Sequence, residues 1–187
     1  MKMTGAKFMA DTIAKIGNSH VFIMETSFWE TMYELQRNGI NRIICHSEKS
    51  AAYMADGYAR VSGKPSFVFA QSVGAANLAA GLQEPFLSNS PVVALTGKKD
   101  PIFQNRNSYQ EVDHRPFFQA VTKYNVCADT IQQLPLYFNQ AIRESVSGNP
   151  GPSHIDMVNL LGFLDREEGD FPEVRNNPGF AVPPYRI

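Results

Sequence analysis

The sequence predicts an α/β protein with a doubly wound, mostly parallel sheet and helices on both faces of the sheet. Three observations lead to this prediction. Short apolar runs alternate along the chain with segments of helical periodicity, which is the order of strand–helix–strand units. The runs at 66–70 and 92–96 are continuously apolar, as is typical of strands covered on both faces. Short connections with turn residues separate the elements, and repeated units of this kind imply right-handed crossovers.

The elements have recognisable boundaries. An amphipathic helix opens the chain, and Asn38-Gly39 suits a helix stop followed by a strand. The turn residues at 63–65 and 88–91 separate the later helices from the strands that follow them. The predicted strands are 20–24, 42–45, 66–70, 92–96, 121–126 and 154–158, and the predicted helices are 4–15, 27–38, 49–61, 75–87 and 130–147.

Two segments do not fit this alternation. Residues 98–115 are polar and lack a sustained apolar period, and a loop of this length in a compact domain is usually functional or mobile. Residues 165–187 begin with a charged run, contain four prolines and cannot build a core. We therefore expect one domain over 1–164 and an extended linker over 165–187, in a chain cut from a longer protein.

Composition excludes several classes of function. The chain has 187 residues and a net charge of −1, which gives no reason to expect nucleic acid or an anionic membrane as a partner. No apolar run approaches the length of a membrane span, and the amino terminus lacks the continuous apolar stretch of a signal peptide. Cys45 and Cys127 lie far apart in apolar surroundings, which favours reduced thiols. We expect a cytoplasmic protein that binds neither membrane nor nucleic acid.

Glu48 is the most informative residue. The apolar residues Ile43, Ile44 and Cys45 run directly into it, and a helical pattern follows. This places a carboxylate at a strand-to-helix junction, at the edge where parallel sheets bind ligands. A dry cleft favours the protonated form of a carboxyl group, so the position suits proton sharing with a bound heterocycle. The alternative is an ordinary glutamate that interacts with the dipole of its helix.

Motifs across the chain support the interpretation that Glu48 shares a proton with a bound heterocycle. Residues 46–97 resemble the N-terminal, pyrimidine-binding domain of thiamin diphosphate enzymes of the acetolactate synthase and 2-oxo-acid decarboxylase superfamily. In order, the family's segments are a Glu followed by Met-Ala-x-Gly-Tyr-Ala-Arg, a Gly-rich turn ending in Asn, and Pro-Val-Val-x-Ile-Thr-Gly. Further downstream are Gln-Glu-x-Asp, Val-Thr-Lys and Gly-x-Pro-Gly-Pro-x-x-Ile-Asp. The matching segments here are Glu48 with 54–60, 71–77, 91–97, 109–113, 121–125 and 148–156.

The resemblance implies a set of site residues. Glu48 matches the glutamate that hydrogen-bonds N1′ of the aminopyrimidine ring and activates the cofactor. Ser72, Val73 and Gly74 match the turn that lies against the pyrimidine, and Asn77 matches the residue that caps or tethers it. Gln110 matches a glutamine that reaches the reaction centre from the partner subunit, which would make it catalytic together with Glu48. The alternatives are a plain strand–helix turn at 72–77 and an ordinary polar loop residue at Gln110.

The sequence also departs from the family. The first strand of relatives ends in Phe-Gly-x-Pro-Gly, whereas residues 24–27 of this chain read Met-Glu-Thr-Ser. At the turn where the family has Gly-Pro-Gly, this chain has Ser72-Val73-Gly74. Lys98 replaces a glutamine. The Gly-Asp-Gly motif that binds Mg²⁺ and the diphosphate in relatives is missing, so the metal and half of the cofactor would be held by another domain. We expect no metal ligands in this chain.

Three interpretations remain open. The favoured one is the pyrimidine-binding domain of a larger homodimeric enzyme, with the linker leading to a central domain and the diphosphate-binding domain in the same gene product; alone, the chain would be inactive. The second is a complete small subunit of a split 2-oxo-acid decarboxylase with a diphosphate-binding partner chain. The third is a non-catalytic dimerisation module.

Overall fold

A parallel sheet forms the centre of the protein. The computed structural model describes residues 1–24, 27–158 and 164–174. The strands are β1 (Lys2–Thr4), β2 (His20–Ile23), β3 (Asn41–Ile44), β4 (Ser66–Gln71), β5 (Val92–Lys98), β6 (Tyr124–Ala128), β7 (Ser153–Val158) and β8 (Glu168–Asp170). The α-helices are α1 (Gly5–Ile16), α2 (Trp29–Arg37), α3 (Glu48–Ser62), α4 (Gly74–Leu87), α5 (Arg115–Gln119) and α6 (Leu134–Val146).

Six strands pair in the order β3-β2-β4-β5-β7-β6, and every pairing between them is parallel. The predicted doubly wound α/β class is therefore confirmed. The chain moves outward from β2 to β3 and then crosses back over β2 to β4. This reversal opens a crevice between the carboxyl ends of β2 and β4, which is where open α/β sheets bind ligands.

Both faces of the sheet are buried. Along β4, Phe67 and Phe69 pack into a core with α1, α2 and α6, whereas Val68 and Ala70 pack into a second core with α3, α4 and α5. The alternation follows from the opposite directions of successive side chains in a strand. Burial on both faces explains why residues 67–70 of this strand are all apolar, and not only every second one.

The predicted helices match the structure closely because their caps are local features. The hydroxyl of Thr4 accepts the backbone N–H of Lys7 at the start of α1, which ends at Gly17 with φ of +86°. The hydroxyl of Ser47 accepts the backbone N–H of Ser50 at the start of α3, which ends at Gly63 with φ of +65°. Left-handed backbone at these two helix ends favours glycine.

The sequence did not predict two features. The helix α5 has five residues, which is too short for a periodic pattern. The strands β1 and β8 form a separate antiparallel pair, with Met3 opposite Gly169. Their pairing joins residues from opposite ends of the chain, so neither strand carries a local signal.

Part of the predicted linker lies against the domain. Asp165 accepts a hydrogen bond from the hydroxyl of Thr31 at 3.0 Å, and the ring of Phe171 stacks on Phe8 with 4.7 Å between centroids. Residues 175–187, and the altered corner at Glu25 and Thr26, lie outside the described residues. The domain boundary at residue 164 stays a prediction. Within the described ranges, no helix is long and apolar enough to span a membrane.

Candidate cofactor-binding site

Glu48 is the first residue of α3, next to the carboxyl end of β3. Ser47 caps the helix, so the backbone leaves the strand and turns into the helix with the Glu48 side chain at the helix start. The side chain is half-buried. A helix amino terminus stabilises negative charge, so a carboxylate is well placed at this position.

The start of α4 meets Glu48 directly. A Cβ atom at Gly74 would lie 2.2 Å from Glu48 Oε1 and 2.7 Å from Glu48 Cδ, so only glycine leaves room for the carboxylate in this conformation. The side-chain amide of Asn77 donates a hydrogen bond to Glu48 Oε2 at 3.2 Å. The structure therefore brings Glu48, Gly74 and Asn77 into one cluster.

Close packing of α3 on α4 produces this contact. A Cβ atom at Gly81 would lie 2.7 Å from the Cβ of Ala52, and Ala51 and Ala55 are also fully buried on α3. The small residues let the two helix axes approach each other. Because α3 and α4 each follow a strand of the same parallel sheet, both helices begin at its carboxyl edge, and the close packing brings their amino termini into contact.

Ser72 and Val73 lie in the turn between β4 and α4. The buried Ser72 donates its backbone N–H to the carbonyl of Gly97 at 2.9 Å, and its hydroxyl donates to the backbone carbonyl of Gln110. Val73 has 51% of its surface exposed, which is unusual for a large apolar side chain in a buried turn. The turn thus has a fixed backbone and presents one apolar side chain outward.

Gln110 reaches the same turn from the long loop. Its side-chain oxygen accepts a hydrogen bond from Nε2 of Gln71 at 2.7 Å, and its backbone is left-handed with φ of +58°. Among the described residues, no hydrogen bond joins Gln110 to Glu48. The structure therefore connects Gln110 to Ser72 and Gln71, and sequence reasoning assigned no role to Gln71.

A single carboxylate folds the tip of the long loop. Glu111 accepts hydrogen bonds from the backbone N–H groups of Asn105, Arg106 and Ser108, and from the hydroxyl of Ser108. The hydrogen bond from the backbone of Ser108, together with the others, lowers the pKa of Glu111. The loop is thereby held in one shape next to Gln110.

A buried polar network fixes the far end of that loop. His114 Nδ1 lies 2.8 Å from Asp156 Oδ1, and the hydroxyl of Thr96 donates to the same oxygen at 2.7 Å. His154 Nε2 lies 2.7 Å from Thr96 Oγ1, and its ring stacks on Phe118 with 3.5 Å between centroids. His114 therefore faces the interior, not a substrate.

Burial and hydrogen bonding set the protonation states in this network. Burial by itself would raise the pKa of Asp156, but the hydrogen bond from His114 and the nearby imidazoles hold it below the ordinary value. Burial lowers the pKa of His154 to about 3, so this imidazole is neutral near pH 7. The network contains a carboxylate that is stabilised by its neighbours and a histidine that does not titrate near neutrality.

Cys127 borders the same network. Its thiol donates to Asp156 Oδ2 at 3.7 Å. Burial, and the neighbouring charge of Asp156, raise the pKa of Cys127 to about 11, so the thiol is protonated and a poor nucleophile. Within the described part of the chain, no group of three or more His, Cys, Asp or Glu residues could hold a metal ion.

Comparison with known proteins identifies the class of this domain. Residues 3–117 match the family "Thiamine pyrophosphate enzyme, N-terminal TPP binding domain". The chain belongs to this family, so its resemblance to the pyrimidine-binding domain is confirmed.

Individual relatives are acetolactate synthases. The chain is 33% identical over 157 residues to the acetolactate synthase isozyme 2 large subunit of Escherichia coli, which covers 83% of this chain and 29% of the relative. It is 32% identical over 165 residues to the acetolactate synthase of Bacillus subtilis, covering 85% of this chain and 29% of the relative. It is 31% identical over 156 residues to a probable acetolactate synthase large subunit of Methanocaldococcus jannaschii, covering 82% of this chain and 26% of the relative. The chain thus spans less than a third of the length of each of these relatives.

Proposed function

We propose that this chain forms the aminopyrimidine-binding half of a thiamin diphosphate site in an acetolactate synthase-like enzyme that acts on 2-oxo acids. The observation that carries the proposal is the position of the Glu48 carboxylate against Gly74, at the carboxyl edge of a parallel sheet. The matches to acetolactate synthases support the choice of 2-oxo acids as the substrate class.

The residues present fit the aminopyrimidine ring. Glu48 Oε2 accepts the hydrogen bond from Asn77, whereas Oε1 has no hydrogen-bond partner among the described residues. One carboxylate oxygen is therefore held in place and the other is available to a ring nitrogen. The exposed Val73 offers an apolar contact to the flat face of a ring.

Thiamin diphosphate, when bound, supplies the electron sink that decarboxylation of a 2-oxo acid requires. The residues of this chain bind and orient it. Glu48 holds or releases a proton at the ring nitrogen N1′, and Asn77 fixes the direction of the carboxylate. Gln110 would be a second catalytic residue that reaches the reacting groups of the partner subunit's site, and the tie of its loop backbone to Ser72 supports a fixed position for it.

The remaining parts of the enzyme belong to the same proposal. A diphosphate-binding domain would supply Mg²⁺, and a central domain would follow the linker at 165–187. A homodimer would complete the site, because the resemblance implies that each cofactor lies between the pyrimidine-binding domain of one subunit and the diphosphate-binding domain of the other. The relatives are much longer than this chain, and their length supports a multidomain enzyme. The free thiols of Cys45 and Cys127 support a cytoplasmic location.

The test compares Glu48→Gln with a control in the enzyme that carries this domain. Glutamine keeps the size of the side chain and its contact with Asn77 but cannot exchange a proton with N1′. We expect normal folding, retained cofactor binding, and a loss of about 10²-fold or more in exchange of the thiazolium C2 proton with deuterated water. Glu168→Gln, on β8, should change neither quantity.

Two results would contradict the proposal. Unchanged C2 proton exchange in the Glu48→Gln protein would remove Glu48 from cofactor activation. Absence of thiamin diphosphate binding by the intact wild-type assembly would instead favour a non-catalytic dimerisation module. Isolation of the chain with a separate diphosphate-binding subunit would favour the split decarboxylase.

A further inference from the structure

Gln110 has an unusual backbone conformation for its residue type. Its φ of +58° lies in the left-handed region, where side chains other than those of asparagine and aspartate are uncommon. Such a conformation persists only where the surrounding structure holds it, and residues of this kind cluster at functional sites. Glycine would suit the backbone better. The conformation at position 110 therefore indicates a function for the glutamine side chain.

Two neighbours hold the main chain at this position. The hydroxyl of the buried Ser72 donates to the backbone carbonyl of Gln110. On the other side, the Glu111 carboxylate accepts the backbone N–H of Ser108 at 3.0 Å. Neither contact involves the side chain of Gln110, so these two anchors leave its amide group able to turn over and exchange its oxygen with its nitrogen. A further contact has to fix the amide.

Gln71 provides that contact. It is the last residue of β4, it is half-buried, and its Nε2 donates to Oε1 of Gln110 at 2.7 Å. A side-chain amide has one acceptor end and one donor end, so its NH₂ group points away once the oxygen is occupied. Nε2 of Gln110 donates one hydrogen to the hydroxyl of Tyr109 at 3.1 Å. Its second N–H has no acceptor among the described residues.

We propose that Gln71 is a positioning residue, which turns the amide of Gln110 so that Gln110 donates a hydrogen bond to an oxygen of the 2-oxo acid. The inference rests on the proposed function, in which Gln110 reaches the reacting groups. Gln71 itself touches no substrate. It acts through the orientation of the neighbouring amide.

The chemistry of the substrate class explains why the orientation matters. An ionised 2-oxo acid offers only acceptors, namely its keto oxygen and its carboxylate. The keto oxygen gains negative charge when its carbon is attacked, and a fixed N–H donor stabilises that charge. The amide oxygen in the same place would repel it. Gln71 therefore selects the useful orientation of Gln110 over the harmful one.

The orientation can be measured in the 187-residue chain without cofactor. We expect an NMR scalar coupling across the hydrogen bond from Nε2 of Gln71 to Cδ of Gln110. A coupling in the opposite sense, from Nε2 of Gln110 to Cδ of Gln71, would overturn the proposal. Because this readout needs no cofactor, it separates a failure of this inference from a failure of the proposed function.

Kinetics of the assembled enzyme test the consequence for catalysis. Gln71→Glu keeps the length of the side chain but can only accept, so the Gln110 amide must turn its NH₂ group toward position 71. We expect kcat to fall at least about tenfold, with thiamin diphosphate affinity and C2 proton exchange unchanged. Gln71→Met lets the amide take both orientations, so its loss should be smaller. Gln132→Glu makes the same change at an exposed position before α6 and should have no effect.

A double-mutant cycle distinguishes positioning from a direct effect of the added charge. In a Gln110→Met background, Gln71→Glu should change kcat less than about twofold, because the group through which it acts is gone. A tenfold loss in that background would overturn the proposal, since the new carboxylate would then act on the substrate or the cofactor by itself. Equal losses in Gln71→Glu and Gln71→Met would also overturn it.

Discussion

Replacement of Gly74 by alanine tests the geometry of the candidate cofactor site. In the structure, the added Cβ would lie 2.2 Å from Glu48 Oε1 and 2.9 Å from Glu48 Cγ. Ordinary contact begins near 3.4 Å, so the carboxylate must move by about 1 Å. The carboxylate is the end of a flexible side chain, and it can therefore move without unfolding the domain.

The expected effects on stability and on activity differ. Alanine favours a helix over glycine by about 0.5–1 kcal/mol, which partly offsets the crowding at Gly74, so the free energy of unfolding should change little. A 1 Å displacement of a group that must align with a bound cofactor can cost about 10²-fold in rate. We therefore expect a near-normal denaturation midpoint together with a loss of about that size in cofactor-dependent activity.

The assay needs a matched glycine. Gly57 lies in the exposed middle of α3, and a Cβ there would meet nothing within 4 Å. Gly57→Ala should raise the free energy of unfolding by about 0.5–1 kcal/mol and leave activity unchanged. Urea denaturation and steady-state kinetics of the assembled enzyme provide both readouts. Full activity in the Gly74→Ala enzyme would refute the argument that Gly74 makes room for a functional Glu48.

Three further predictions follow from charges and burial. Because the pKa of His154 is low in the folded chain, only the unfolded chain binds this proton between about pH 6.5 and pH 3. The free energy of unfolding should therefore fall by about 1.4 kcal/mol for each pH unit as the pH is lowered through that window. His154→Gln should make the free energy of unfolding, measured by urea denaturation, depend less on pH, and an unchanged slope would contradict this. The raised pKa of Cys127 should make its thiol react with iodoacetamide at pH 7 far more slowly than free cysteine, as mass spectrometry of the labelled peptide would show. Equal rates would contradict the raised pKa. Asn77→Asp places a like charge beside Glu48, so it should impair cofactor-dependent activity more than Asn77→Ala does; equal kinetics would show that Asn77 does not orient the carboxylate.

The sequence was sufficient for the fold class and for most element boundaries. Helix caps such as Ser47 and helix ends such as Gly63 act through hydrogen bonds and backbone angles within a few residues, so they can be read locally. The unbroken apolar run at residues 67–70 of β4 also indicated a sheet covered on both faces. Glu48 stood out for the same reason, since its place at a strand–helix junction is set by its immediate neighbours.

Tertiary structure decided everything that depends on separate segments meeting. The contact of Glu48 with Gly74 arises from the packing of α3 on α4, and the link from Gln110 to Ser72 joins residues 38 positions apart. The pairing of β1 with β8 and the inward orientation of His114 likewise have no local signature. Sequence patterns report the preferences of neighbouring residues, whereas these features arise when the sheet brings distant strand ends to one edge.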